Sequence, residues 1–165
     1  MNSELFYIGA IGSGRYYAMP RPPSDNLETA MAELQQKGIS RLICLLEVNE
    51  SRTLGLTQEK AACEAAAMYF ERFEIPDYGI PRFTELYSLV GRLTTTIAAG
   101  DNIVVHCRGG IGRTGLICCC LAIASGMDLK SAISNVSAQR GCTVPETDAQ
   151  LAMIDQFALR WRSGQ

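Results

Sequence analysis

The sequence predicts an α/β fold, a central, mostly parallel sheet flanked by helices on both faces. Three observations predict it. Short strand-like runs recur along the chain at Leu5–Ile8, Ile39–Leu46, Phe70–Ile75 and Ile103–Val105. Helical patterns alternate with them, and strands joined through helices run parallel with both faces covered. A glycine-rich turn follows Ile103–Val105 directly and opens an apolar helix. That places the turn between a central strand and a buried helix, at the carboxyl end of the sheet where α/β sites form.

Leu5–Ile8 reads as a short first strand and residues 9–23, rich in Gly, Tyr and Pro, as a surface loop. Gly9-x-x-Gly12-x-Gly14 has no strong helix directly after it, so it does not read as a nucleotide loop. Pro20-x-x-Pro23 reads as a rigid turn leading into a helix. Ser24 or Asp25 caps that helix, which runs to Lys37 and stops at Gly38. Ile39–Leu46 is a buried strand. Thr57 opens a helix of alanines that reaches Met68, and Phe70–Ile75 is the next strand. Pro81 or Thr84 starts a long helix ending at Gly100. After Ile103–Val105, a buried helix covers Thr114–Ser125. Asp128 caps a helix to about Gln139, and a last helix runs from Pro145 to Arg160. No repeat, low-complexity tract or linker divides the chain, so residues 1–165 are expected to form one domain with a real core.

Composition narrows the function. The net charge is −2 with no basic block, which argues against nucleic acid or an anionic membrane as partner. Apolar residues make up 47% of the chain, but charges interrupt them well short of the ~20 residues of a membrane span. Met1-Asn2-Ser3-Glu4 lacks a basic stretch and a cleavage site, so no secretory signal is expected. The seven cysteines are odd in number and irregular in spacing, which predicts reduced thiols in the cytoplasm rather than a disulfide framework. Cys118, Cys119 and Cys120 point about 100° apart on a helix, cannot converge on one metal, and read as small core residues. The only histidine is His106, so a zinc enzyme, a Ser-His-Asp hydrolase or a papain-like enzyme lacks its histidine. No metal and no cofactor are expected, and a monomer is expected.

The chemistry concentrates in His106-Cys107-Arg108-Gly109-Gly110-Ile111-Gly112-Arg113-Thr114-Gly115. Cys107 ends a strand, and Arg113 begins a helix six positions later. The turn Arg108-Gly109-Gly110-Ile111-Gly112 can point successive N–H groups inward as an anion nest. The helix N-terminus adds positive potential. Together they favour a thiolate at Cys107 and a phosphate dianion against it. Arg113 can clamp two phosphate oxygens. His106 should point to the opposite face of the strand and support the loop by hydrogen bonding, not act as a base. Gly110–Gly115 also spells G-x-G-x-x-G, but the following Asp128–Arg140 is helical and supplies no second strand. The run has no lysine for a Walker A loop. A merely structural turn would explain the glycines but not Cys107 with Arg113.

This run resembles the Cys-x5-Arg signature loop of the protein tyrosine phosphatase superfamily, His-Cys-x-x-Gly-x-Gly-Arg-Thr-Gly. The resemblance covers about Leu5 to Phe157 and points to the compact dual-specificity type, nearest the cyclin-dependent kinase-associated phosphatase. It implies that Cys107 is the nucleophile and forms a phosphocysteine, on phosphotyrosine and on phosphoserine or phosphothreonine in a phosphoprotein substrate. Ile75-Pro76-Asp77-Tyr78-Gly79-Ile80-Pro81 resembles the mobile acid loop, with Ile75 in place of the usual tryptophan. Asp77 is then the general acid and later the base. Arg140 to Gln150 resembles the third, glutamine-bearing element, in which Gln150 positions the attacking water. Thr114 donates to the cysteine sulfur. Glu50 matches a loop acid that pairs with Arg113. No Asn-Arg-Tyr recognition loop is present, which argues against strict tyrosine selectivity. The signature loop has Arg108 but no lysine, which argues against lipid headgroups. A phospho-binding module without turnover would lack the acid or the nucleophile, and a sulfurtransferase needs no Asp77. The partner cysteine of the kinase-associated phosphatase aligns with Leu46, and Cys44 lies two residues away, so a Cys44–Cys107 disulfide is not expected.

Overall fold

A computed structural model describes residues 4–164, and the Met1–Ser3 part of the leader reading lies outside the described residues. The chain opens with an antiparallel hairpin, β1 (Phe6–Ile11) and β2 (Gly14–Met19). β2 falls inside the stretch expected to be a loop. Glycines and tyrosines hid a strand whose Tyr16, Ala18 and Met19 are buried. Gly14 is there for close approach, since a Cβ would collide with the Ile97 and Asp101 carbonyl oxygens.

Three further strands follow, β3 (Arg41–Cys44), β4 (Tyr69–Arg72) and β5 (Ile103–His106). The sheet order is β1-β2-β5-β3-β4, with every pair parallel except β1 with β2. The central, mostly parallel sheet is therefore present, and β5 is its middle strand. Both of its neighbours shield it, so all four residues of Ile-Val-Val-His are buried.

Alternation along the strands assigns two cores. Ile43, Ile103 and Val105 face α4 (Phe83–Ala98), α5 (Gly112–Ala124), α6 (Leu129–Arg140) and α7 (Asp148–Ser163). Leu42, Cys44 and Val104 face α1 (Leu27–Gln36) and α3 (Glu59–Ala65). α5 is buried from Gly112 to Ile123, because it is apolar on every side and lies between the sheet and α6 with α7. Cys118, Cys119 and Cys120 are part of that core. Truncating a residue such as Leu116 here costs about 2–5 kcal/mol.

Some boundaries differ from expectation. Asn26, not Ser24 or Asp25, precedes α1, and it makes no side-chain cap. α7 starts at a Thr147–Gln150 capping box rather than at Pro145. A short helix, α2 (Val48–Thr53), forms after β3 where the sequence carried no helical period long enough to read. Asp128 caps α6 as expected, accepting from Ser131 N at 2.7 Å.

Candidate active site

Cys107 follows β5 at the carboxyl edge of the sheet, 3% exposed. The loop after it is held from outside. Arg21 N donates to Arg108 O at 3.0 Å. Arg140 donates through Nη2 to Gly109 O at 2.9 Å and through Nε to Gly110 O at 2.7 Å. Its guanidinium also lies 4.1 Å above the Phe6 ring. Each peptide opposes its C=O to the next N–H. Three carbonyls held outward therefore turn the N–H groups of Gly109, Gly110 and Ile111 inward, which makes an anion nest. Gly110 takes φ +72°, and a Cβ there would meet the Met19 carbonyl, so the turn requires glycine. The supporting role of Arg140 is not legible in its sequence spacing.

Thr114 Oγ1 donates to Cys107 Sγ at 3.1 Å. Arg113, 2% exposed, makes four contacts. Nη1 donates to Glu50 Oε1 at 2.8 Å and to Ile75 O at 2.9 Å. Nη2 donates to Glu50 Oε2 at 2.8 Å and to Asp77 Oδ1 at 3.1 Å. Glu50 thus takes the end of the guanidinium, and the Nε–Nη2 edge is left for an incoming anion, with Asp77 resting on it. Burial works against the charge of Arg113, but the hydrogen bond to Glu50 and the nearby Cys107, Glu50 and Asp77 charges win and raise its pKa. The same hydrogen bond from Arg113 is the main cause of the lowered Glu50 pKa, against a smaller burial penalty. Arg108 stays nearer solvent, its Nε 3.7 Å from Glu50.

Asp77 sits in a turn closed by Gly79 N donating to Pro76 O at 2.7 Å. Tyr78 occupies the left-handed region at φ +59°, a conformation that costs a non-glycine residue about 1–3 kcal/mol. Its ring is exposed. Gln150 holds the other end of this turn, Nε2 donating to Gly79 O at 3.2 Å. Gln150 is fully buried, not an exposed helical glutamine. Its Oε1 accepts from Glu146 N at 3.0 Å and Thr147 N at 3.3 Å. A Cβ on Gly112 would lie 3.1 Å from that oxygen, which puts Gln150 against the cysteine loop. Cys107, Arg113, Thr114, Asp77 and Gln150 therefore come together from three separate parts of the chain.

His106 points to the opposite face, as its strand position predicts. Nδ1 lies 3.0 Å from Cys107 O, and Nε2 lies 2.5 Å from Glu59 Oε2. Sequence reasoning missed Glu59. The available signal was a glutamate on the inward face of the alanine helix α3, beside Ala62 and Cys63. Cys44 Sγ gathers near the same pair, but Arg72 Nη1 already lies 3.6 Å from it, and His106 and Glu59 bond each other. Cys44 belongs to the α1–α3 core and Cys107 to the α4–α7 core, so the sheet separates the two sulfurs.

Comparisons place this arrangement. Residues 17–127 match the family model Tc-R-P, described as "Polymorphic toxin system, DSP-PTPase phosphatase". Protein tyrosine phosphatase domain-containing protein 1 of Mus musculus is 34% identical over 151 residues, covering 85% of this chain and 20% of that protein. Cyclin-dependent kinase inhibitor 3 of Rattus norvegicus is 22% identical over 134 residues, 80% of this chain and 63% of that one. The chain spans about a fifth of the length of the first of these relatives. Among solved structures, kinase associated phosphatase with its catalytic-site cysteine replaced by serine superimposes with a TM-score of 0.89 at 18% identity, over 99% of this chain and 98% of that one. The five-stranded sheet with its flanking helices is the phosphatase fold of that neighbour, and the chain belongs to the DSP-PTPase phosphatase family.

Proposed function

We propose that this chain is a cysteine-dependent phosphomonoester hydrolase acting on phosphotyrosine, and on phosphoserine or phosphothreonine, in proteins. One observation carries the reading. The Arg113 guanidinium, fixed by Glu50, meets Asp77 and lies near enough to Cys107 to feel its charge. Nucleophile, anion clamp and acid thus share one small volume.

The phosphate dianion takes the inward N–H groups and the Nε–Nη2 edge of Arg113, displacing Asp77 from Nη2. The Cys107 thiolate attacks phosphorus, and Asp77, protonated, gives its proton to the leaving oxygen. The nest and Arg113 stabilise the equatorial oxygens as the bond order changes. Water then attacks the phosphocysteine. Asp77 accepts its proton, Gln150 positions it, and the Thr114 hydroxyl stabilises the departing thiolate. No step calls on a metal or cofactor.

The same reading takes residues 1–165 as one catalytic domain, a monomer working in the cytoplasm on phosphoproteins, with neither nucleic acid nor membrane as partner. The odd, irregularly spaced set of seven cysteines supports a reducing compartment. No helix among the described residues is long and apolar enough to cross a membrane. The test is turnover of an aryl phosphate and a phosphopeptide panel in chelator, with Cys107→Ser as control. Hydrolysis that vanishes in the serine variant supports the reading. Absence of turnover, or turnover that survives the substitution in pure protein, refutes it.

A further inference from the structure

Glu59 is a buried carboxylate that none of these steps uses. It is 0% exposed, and one of its oxygens, Oε1, has no hydrogen-bond partner among the described residues. An ionised group so placed is costly, and an apolar residue of similar volume would pack at least as well. Stability alone does not account for it. Its other oxygen meets His106, also fully buried, and His106 in turn meets the carbonyl of Cys107.

The chemistry of that chain is constrained. A carbonyl oxygen only accepts, so Nδ1 carries a hydrogen and donates to Cys107 O. With Nδ1 protonated, Nε2 bears a second hydrogen if Glu59 is ionised. Burial pulls the imidazole toward neutrality, but the Glu59 charge and the hydrogen bonds to Cys44 and Glu59 prevail, and its pKa lies well above the ordinary histidine value. The groups facing His106 are Glu59 from α3, Cys44 from β3 and, against Cys44, Arg72 from β4. Glu59 is the only carboxylate among them. It also holds Cys63 in the thiol form, whose pKa is pushed up to about 12 mainly by burial and then by Glu59.

We propose that Glu59 is a positioning residue for the nucleophile, acting through His106 from the far side of the sheet. It keeps His106 doubly protonated and oriented. Nδ1–H then pins the Cys107 carbonyl outward, which turns the Arg108 N–H into the loop toward the sulfur and the bound phosphate. The imidazolium is the nearer end of the ion pair to Cys107, so the pair also presents a positive pole to the thiolate. The effect on catalysis follows from the phosphatase reading above, while the Glu59–His106–Cys107 geometry stands apart from it.

His106 is the only histidine, so nitrogen-15 spectra of the imidazole read it in the unmodified protein. Both ring nitrogens should stay protonated above the ordinary histidine range. A neutral ring with hydrogen on Nε2 alone would overturn the proposal, whatever any variant does. Glu59→Gln keeps the shape and removes the charge. In this variant the pH of half-maximal iodoacetate alkylation of Cys107 should rise by about one unit, a tenfold loss of thiolate at the lower pH values. Glu59→Asp should recover part of it. In the His106→Gln background, Glu59→Gln should shift the profile no further. An unchanged alkylation profile in folded Glu59→Gln protein would leave Glu59 a purely structural group and refute the assignment. If the unmodified protein shows the doubly protonated ring and the shifted alkylation but no phosphate turnover, the phosphatase reading fails and the positioning of Cys107 stands.

Discussion

Replacing Glu50 with glutamine removes the charge that holds Arg113 and leaves a side chain of nearly the same shape. Glu50 accepts two hydrogen bonds of 2.8 Å from a guanidinium that is 2% exposed, while its own side chain is 10% exposed. Hydrogen bonds to charged groups contribute about 1.5–3 kcal/mol each, and breaking a buried pair costs about 3–5 kcal/mol. Glutamine keeps one acceptor and Asp77 stays in contact, so the loss should be about 2–3 kcal/mol. For a chain of this size that lowers Tm by roughly 5–10 °C. Arg113 will also hold Asp77 more tightly, which keeps the acid from the leaving oxygen, so kcat for an aryl phosphate should fall about tenfold or more. The stability gap should depend on pH with a definite sign. Arg113 lowers the Glu50 pKa in the folded protein. The stabilisation is therefore complete above the ordinary glutamate range and is lost as pH falls through the depressed folded value. Calorimetry of both proteins from pH 8 down to 3 measures it. A gap that stays constant over that range, or an unchanged Tm at pH 7, would refute the ion-pair argument.

Three further outcomes follow from the same geometry. Asp77→Asn should slow turnover of alkyl and phenyl phosphates by roughly 10²–10⁴ and have little effect where the leaving group needs no proton. It should also tighten phosphate or vanadate binding, because Asp77 no longer competes for Nη2, and single-turnover rates with a leaving-group series plus a vanadate titration check both. Gln150→Ala should slow hydrolysis of the phosphoenzyme more than its formation, so burst amplitude grows. Loss of its bond to Gly79 should raise hydrogen exchange in residues 76–80 at the same time. Peroxide should inactivate the protein at Cys107, with phosphate or vanadate protecting, and peptide mapping should find sulfenic or sulfinic acid there. A dominant Cys44–Cys107 crosslink would mean that the sheet does not separate them as described.

Much of this was legible because local chemistry and local geometry coincide. Residues 106–115 spell a strand end, a glycine turn and a helix start in one continuous run, and the turn forms as read. The Asp77 turn was legible from Pro76, Gly79 and Pro81 around one aspartate, since such a stretch can only be a turn. The hairpin partner β2 was not, because Gly9, Gly12 and Gly14 read as loop residues. Gly14 is there so that the backbone can pass α4, which is a tertiary fact with no local signature. α2 was too short to show a period, although it delivers Glu50.

The hardest residues to read were those whose partners lie on another layer. Glu59 looks like any acid in the first turn of a helix, favoured there by the dipole. Only the register of β5 against β3, which sets Cys44 beside His106, shows that α3 covers the rear of the cysteine loop. Arg140 is similar. Its place at the end of α6 reads as an ordinary basic residue near a helix C-terminus, yet it reaches two loop carbonyls about thirty residues back. Both residues act on the peptide planes of the loop rather than on the phosphate, from opposite sides of it. The loop's N–H groups converge because the carbonyl of Cys107 is held from the α3 side and those of Gly109 and Gly110 from the α6 side. A motif specifies which residues line such a nest, and the two helices behind it decide which way its amides point.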